Sequence, residues 1–492
     1  MEGINVSVIV PVALYLIGIY VMAVYCNKRL SRSDDFMEEY FIGSRGMGGF
    51  VLAMTLVATY TSASSFIGGP GVAYKMGLGW VLLAMIQVPT AWLTLGVLGK
   101  KFAIVARRIG AVTVNDVFRA RYESPAVVIA GSVSLLAFFV AAMTAQFIGG
   151  ARLFQGMTGL SYNTGLAIFA VTVIAYTTVG GFRAVALTDA LQGVVMIVGT
   201  TALLFGIVSM GGGMENVVAT LRDINPDLIT PHGPDGFISK PFILSFWVLV
   251  CLGVVGLPHT AVRCMGYRDS RSMHGAMVIG TFVLAFVMLG MHLCGALGRA
   301  VVPGIEVGDT IMPILSLKVL PPVVAGIFLA GPLAGVMSTI DSQLILASAT
   351  IVKDIYVNYV SPESVSSERG IKKVRIMSLA ATAMIGTVVL LAAFRPPELI
   401  VWINIFAFGG MQAAFLWPLV LGLYWKRANG KGALASMVTG VFTYITMAST
   451  MKNFMGMNVI IPTLLVGLVA FVLVSLWSKR PDDSVIDLFW ME

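Results

Sequence analysis

The stretch LVATYTSASSFIGGPG, residues 56–71, lies inside an apolar run long enough to cross a membrane. Six of its first ten positions nevertheless carry hydroxyls: Thr59, Tyr60, Thr61, Ser62, Ser64 and Ser65. Gly68, Gly69, Pro70 and Gly71 follow, residue types that weaken a helix or remove one of its hydrogen bonds. Backbone freed at membrane depth survives only where it is buried in protein or lines a cavity. The stretch therefore predicts a broken helix beside a polar site, inside a membrane bundle.

The remaining sequence supplies the bundle. Of 492 residues, 58% are hydrophobic and 11% charged, against about 25% charged in soluble domains. Thirteen apolar stretches, numbered here as spans 1 to 13, cover 5–26, 47–72, 78–98, 124–150, 160–178, 186–210, 241–262, 274–298, 320–352, 373–394, 398–423, 432–450 and 457–477. Each suits a hydrocarbon core of roughly 30 Å. The fold class read from this pattern is an all-α integral membrane protein of 13 transmembrane helices, a single membrane domain over 1–492.

No Lys or Arg precedes span 1, which ends in Lys28, Arg29 and Arg32, the reverse of a cleavable signal peptide. With the N-terminus outside and the C-terminus cytoplasmic, the 32 Lys and Arg residues divide into 24 cytoplasmic and 8 external. That bias sets orientation, and it accounts for the formal charge of +8 without a nucleic-acid partner. Membrane lipid is the expected surrounding, and nothing points to an obligate protein partner. The four cysteines (Cys26, Cys251, Cys264, Cys294) and four histidines form no CxxC or HExxH pattern. They predict buried thiols, no resident metal and no catalytic cluster, so an enzyme is not expected.

Span 7 also reads as broken, by Gly253, Gly256 and Pro258. Two interrupted helices five spans apart are the pattern of an inverted repeat. Spans 2–6 (47–210) and 7–11 (241–423) would be its halves, and 424–492 the accessory C-terminal helices and tail. The external segment 299–319 contains DTIMPILSLKVL, suited to a short interfacial helix or a lid. The cytoplasmic segment VSPESVSSERGIKK reads as a mobile polar connection.

Span 9 contains LAGPLAGVMSTIDSQLILASA, in which Gly335, Ser338, Thr339 and Ser342 form one helical stripe. Such hydroxyls commonly bond back to the carbonyl four residues earlier or let helices approach closely. The other reading is that Ser338, Thr339, the Gly335 carbonyl and carbonyls freed in span 2 converge on a hard cation. Neutral oxygens suit a monovalent ion that must be released in each cycle. Asp189 begins span 6, either as an exposed cap or on an ion path. Asp341 projects about 60° round the helix from Ser338, bordering the ion site or pairing with a neighbouring helix.

For an organic substrate the candidates are Ser64, Ser65, Gln87, Gln146, His259, Thr260 and Gln412, with Phe406 and Phe408 as apolar walls. Each polar member has helix-to-helix hydrogen bonding as its alternative. No Lys or Arg stands in mid-span, so an anionic substrate would fall to backbone N–H groups at the break in span 2, helped by His259.

At these residues the chain resembles the sodium/solute symporter family, and within it the sodium/pantothenate symporters. The passages are YFIGSRGMGGFVLAMTLVATYTSASSFIGGPG, YTTVGGFRAVALTDALQGVV, WVLVCLGVVGLPHTAVRC and AGVMSTIDSQL, with GLYWKRANGKGALASMVTG bearing Gly422, Arg427, Gly432 and Ala433. The resemblance implies a five-plus-five inverted repeat with one sodium site. The ligands it implies are the carbonyls of Ala58, Thr61 and Gly335 and the hydroxyls of Ser338 and Thr339. Relatives often have alanine where this chain has Gly335. Asp189 matches an acid on the sodium path to the cytoplasm. Ser65 and Gln87 align with sugar-contacting positions in a sodium/galactose relative. The expected activity is symport of co-transported Na+ with a small organic acid, pantothenate foremost, across a bacterial inner membrane. Another organic acid or an amino acid is the alternative substrate, and a passive channel the alternative mechanism.

Overall fold

The computed structural model describes residues 6–30, 36–42, 45–365, 367–396, 399–451 and 453–490. Cys26 and the basic residues Lys28, Arg29 and Arg32 lie outside the described side chains. Among the described residues the chain is helical, with isolated bridges at Met47–Tyr267 and Phe454–Met457 and no strand.

Among the described residues, ten helices are long and apolar enough to cross a membrane, or eleven when the bent pair Gly49–Tyr60 and Ser64–Met76 counts as one span. Eleven of the thirteen expected spans are matched in this way, all but spans 5 and 7. Span 5 joins span 6 in one continuous helical element, Tyr162–Met210. Span 7 is split into Lys240–Gly256 and Pro258–Arg263, and the first piece is too short. Hydropathy registers apolar residues, whereas the breaks are set by backbone geometry.

Span 9 is the central helix. Pro322–Val360 runs 39 residues with 83% of its apolar window buried, against 22% for the peripheral Val6–Tyr25. A helix apolar all round belongs inside a bundle. Its glycine at 335 permits close packing, because a Cβ there would stand 2.8 Å from the Phe66 ring.

The two halves of span 2 meet at 69°. Thr61 leaves the helix with extended backbone (φ −73°, ψ 118°), and a π-turn over Ser64–Gly68 leads into Gly69–Met76. Pro70 sits in the first turn of that last helix, where its missing N–H costs nothing. Span 7 breaks alike: Leu257 is extended (φ −89°, ψ 115°) and Pro258 opens the next helix.

The segment after span 8 packs against the second half of span 2. Ile311–Val319 is a short helix with Ile311, Met312 and Leu315 buried. A Cβ on Gly71 would come within 2.7 Å of the Gly308 backbone, so this segment and span 2 touch main chain to main chain. Asp309 beside it accepts the Ile400 N–H at 2.9 Å, and burial pushes its carboxyl up to about 7. In the polar connection between spans 9 and 10, Ser367 caps the helix Glu368–Ala392 by accepting from the Gly370 N–H.

Candidate ion and substrate site

An unbroken helix would use the carbonyls of Ala58, Thr59 and Thr61 to accept from Ser62, Ala63 and Ser65. Those three N–H groups bond elsewhere. Ser62 donates to the Ser65 hydroxyl at 3.4 Å, Ala63 to Gln146 Oε1 at 2.7 Å, and Ser65 to the Ser62 carbonyl at 2.9 Å. The carbonyls so released face span 9. Ser338 Oγ lies 2.7 Å from the Ala58 oxygen and 3.1 Å from that of Gly335. Thr339 Oγ1 lies 3.1 Å from the Thr61 oxygen, 3.3 Å from that of Thr59 and 3.0 Å from that of Gly335. Ala58, Thr59, Thr61, Ser338 and Thr339 are 0% exposed, and Gly335 is buried with them. Each hydroxyl has one proton for several carbonyls, so lone pairs are left pointing at one spot. That is donor chemistry for a small hard cation bound by neutral oxygens.

A polar column leads away from this cluster. Ser342 donates to the Ser338 carbonyl at 2.7 Å and lies 3.5 Å from the Thr59 hydroxyl. Arg263 donates to the Ser342 hydroxyl and stands 3.6 Å from Asp189, which also accepts from Thr55 at 2.5 Å. Asp189 and Arg263 are 0% and 1% exposed at their side chains. The reading of Asp189 as an exposed helix cap is thus overturned, because its helix begins far earlier, at Tyr162. Arg263, one residue past the stretch read as span 7 and at the end of the helix Pro258–Arg263, is a buried cation that the sequence reading did not single out. Asp341 turns to a neighbouring helix and accepts from Thr177 of span 5 at 2.5 Å.

Beside the break lies a cavity lined by Tyr60, Ser64, Ser65, Gln87, His292 and Asn404, with Trp80, Phe246, Val401 and Phe408 among its apolar walls. The Ser64 hydroxyl is buried without a hydrogen-bond partner, whereas the Tyr60 hydroxyl is spent on Gln87 at 2.9 Å and the Val250 carbonyl at 2.8 Å. The other sequence candidates stand elsewhere. Gln146 sits behind the break, holding Ala63 and reaching Asn404 at 3.3 Å. His259 packs between the rings of Phe139 and Phe408, and neither its ring nitrogens nor the Thr260 hydroxyl has a partner. Gln412 donates to the Leu249 carbonyl at 2.6 Å. Phe406 packs on Phe138 and Tyr444, away from the cavity. The backbone N–H groups expected to receive a carboxylate are occupied too: Ala63 by Gln146, and Ser64 by the Ser62 hydroxyl at 3.2 Å.

His292 and Asn404 were not singled out from sequence. The available signal was a lone polar residue within an otherwise apolar run, in GMHLCG and in WINIFAF.

An oxygen cluster at a helix break, next to a cavity inside a membrane bundle, defines a coupled transporter, and the comparisons agree. Residues 40–440 match the sodium:solute symporter family, and the chain belongs to that family: it is a multi-pass membrane transporter, not an enzyme. It is 55% identical over 482 residues to the sodium/pantothenate symporter of Escherichia coli, covering 98% of this chain and 99% of that one. To the sodium/pantothenate symporter of Haemophilus influenzae it is 52% identical over 476 residues, 97% of each chain. Its fold resembles that of a Na+-coupled sialic acid symporter in a substrate-bound outward-open state, at a TM-score of 0.79 and 16% identity, over 97% of this chain and 99% of that one.

Proposed function

We propose that the protein imports pantothenate together with sodium by alternating access across a bacterial inner membrane, with its N-terminus periplasmic and its C-terminus cytoplasmic. The observation that carries this reading is the convergence of the Ala58, Thr61 and Gly335 carbonyls with the Ser338 and Thr339 hydroxyls beside the cavity. The names of the two relatives supply the substrate. In this reading 47–210 and 241–423 are the two repeats, and sodium leaves along the column that ends at Asp189.

Sodium binds first and ties the broken span 2 to span 9, which shapes the cavity. The lining residues include no Lys or Arg, so the substrate carboxylate meets the Ser64 hydroxyl, the Asn404 amide and the field of the bound ion. At roughly 8 Å and an effective dielectric of about 20, opposite unit charges attract by about 2 kcal/mol. That is a coupling of about 30-fold in affinity, and it is reciprocal. Arg263 already balances Asp189, so the column requires no second cation. One sodium with one monoanion is electroneutral: a membrane potential, worth about 2.3 kcal/mol per charge per 100 mV, adds nothing.

The test is labelled pantothenate uptake into proteoliposomes under an inward sodium gradient, against an equal potassium gradient, for wild type and Ser338→Ala with Thr339→Ala. Sodium-driven accumulation that the double variant loses is expected. Accumulation of proline or another organic acid instead of pantothenate would overturn the substrate, downhill flux independent of sodium would overturn coupling, and an inward positive current would overturn the one-sodium cycle.

A further inference from the structure

His292 lies on span 8, is 3% exposed and lines the cavity. Its Nδ1 is 2.7 Å from the Met288 carbonyl oxygen. A carbonyl only accepts, so Nδ1 carries the hydrogen, and in the neutral ring Nε2 is left as an acceptor. Among the described residues no carboxylate forms an ion pair with His292, so no neighbouring anion holds the ring as a cation. Nε2 abuts the second half of span 2: a Cβ on Gly69 would stand 2.3 Å from it. Glycine at 69 therefore keeps this ring edge at the cavity wall.

We infer that Nε2 of His292 accepts a hydrogen bond from a substrate hydroxyl, so that the cavity reads the dihydroxy end of pantothenate. This rests on the pantothenate reading above and adds the orientation of the molecule. A carboxylate cannot face an acceptor lone pair, so the acid end lies towards Ser64 and the sodium oxygens. The dihydroxy end, with its two methyl groups, meets His292 and the apolar walls. The ring acts as a specificity determinant outside the ion site: its partner Met288 is on its own helix, and it bonds to none of the five sodium oxygens.

The test is competition against labelled pantothenate uptake by two amides of β-alanine, pantothenate itself and its analogue lacking the hydroxyl beside the amide. In wild type the deoxy analogue competes about 10- to 100-fold more weakly, the cost of leaving a buried acceptor unpaired. His292→Leu weakens pantothenate, whose hydroxyl loses its acceptor, and strengthens the analogue, which no longer strands one, so the discrimination disappears. His292→Gln, whose amide oxygen accepts, restores part of the discrimination. Equal competition by the two compounds in wild type overturns the inference without any variant. So does a His292→Leu protein that still discriminates, or one that loses both compounds equally. Failure of the pantothenate reading is distinct: wild type would then show no sodium-driven pantothenate accumulation at all.

Discussion

Thr339→Val keeps the shape of the side chain and deletes one oxygen. In the native protein Oγ1 lies 3.0 to 3.3 Å from the carbonyls of Gly335, Thr61 and Thr59, and its single proton can satisfy one of them. In the proposed sodium site the hydroxyl would turn a lone pair to the ion as one of five oxygens around it. The valine methyl cannot replace that contact, and it also leaves carbonyls of the break without a donor when the site is empty. An interaction with a charged partner contributes about 1.5–3 kcal/mol, which is about 10- to 150-fold in sodium affinity. Initial rates of pantothenate uptake against sodium concentration should show the half-saturating sodium rising by that factor. By reciprocity the apparent KM for pantothenate at fixed sodium rises as well. Thr339→Ser retains the oxygen and should stay within about threefold of wild type. A valine variant with the sodium dependence of wild type, or a serine variant as damaged as valine, would refute the oxygen-ligand reasoning.

Two further outcomes follow from the buried charges. Arg263→Met strands Asp189, which keeps the Thr55 hydroxyl; breaking a buried pair from one side costs about 3–5 kcal/mol. Thermal unfolding in detergent should show a marked loss for Arg263→Met, recovered in good part by adding Asp189→Asn, and a single variant as stable as wild type would exclude the pair as a structural tie. In the segment after span 8, the folded-state pKa of Asp309 is raised to about 7 from its ordinary 3.8. The folded form therefore holds the proton more tightly, and the contribution is complete below about pH 4 and lost as pH rises through 7. Wild-type Tm should fall between pH 5 and pH 8, and Asp309→Asn, which still offers Ile400 an acceptor, should flatten that slope; an unchanged slope would place the titration elsewhere.

Much of this protein follows from local pattern. Apolar runs give the spans because hydropathy depends only on composition over one helix length, and both breaks follow from glycine and proline, whose backbone effects are intrinsic. The stripe Gly335, Ser338, Thr339 is legible because helical periodicity alone puts those residues on one face. The cavity residues Ser64, Ser65 and Gln87 were within reach for a similar reason, lying on or beside a visible break. Others were not. His259 and Gln412 looked equivalent to Gln87 in sequence, yet packing turns the first between two aromatic rings and the second onto the Leu249 carbonyl.

What only the tertiary structure decided is pairing at long range. Ser338 meets the Ala58 carbonyl across 280 positions, Arg263 finds Asp189 from another helix, and His292 comes against Gly69. A sequence states which groups have hydrogen bonds and charges to satisfy. Which of them satisfy one another depends on the rotation and depth of each helix, and those are set by the packing of the whole bundle.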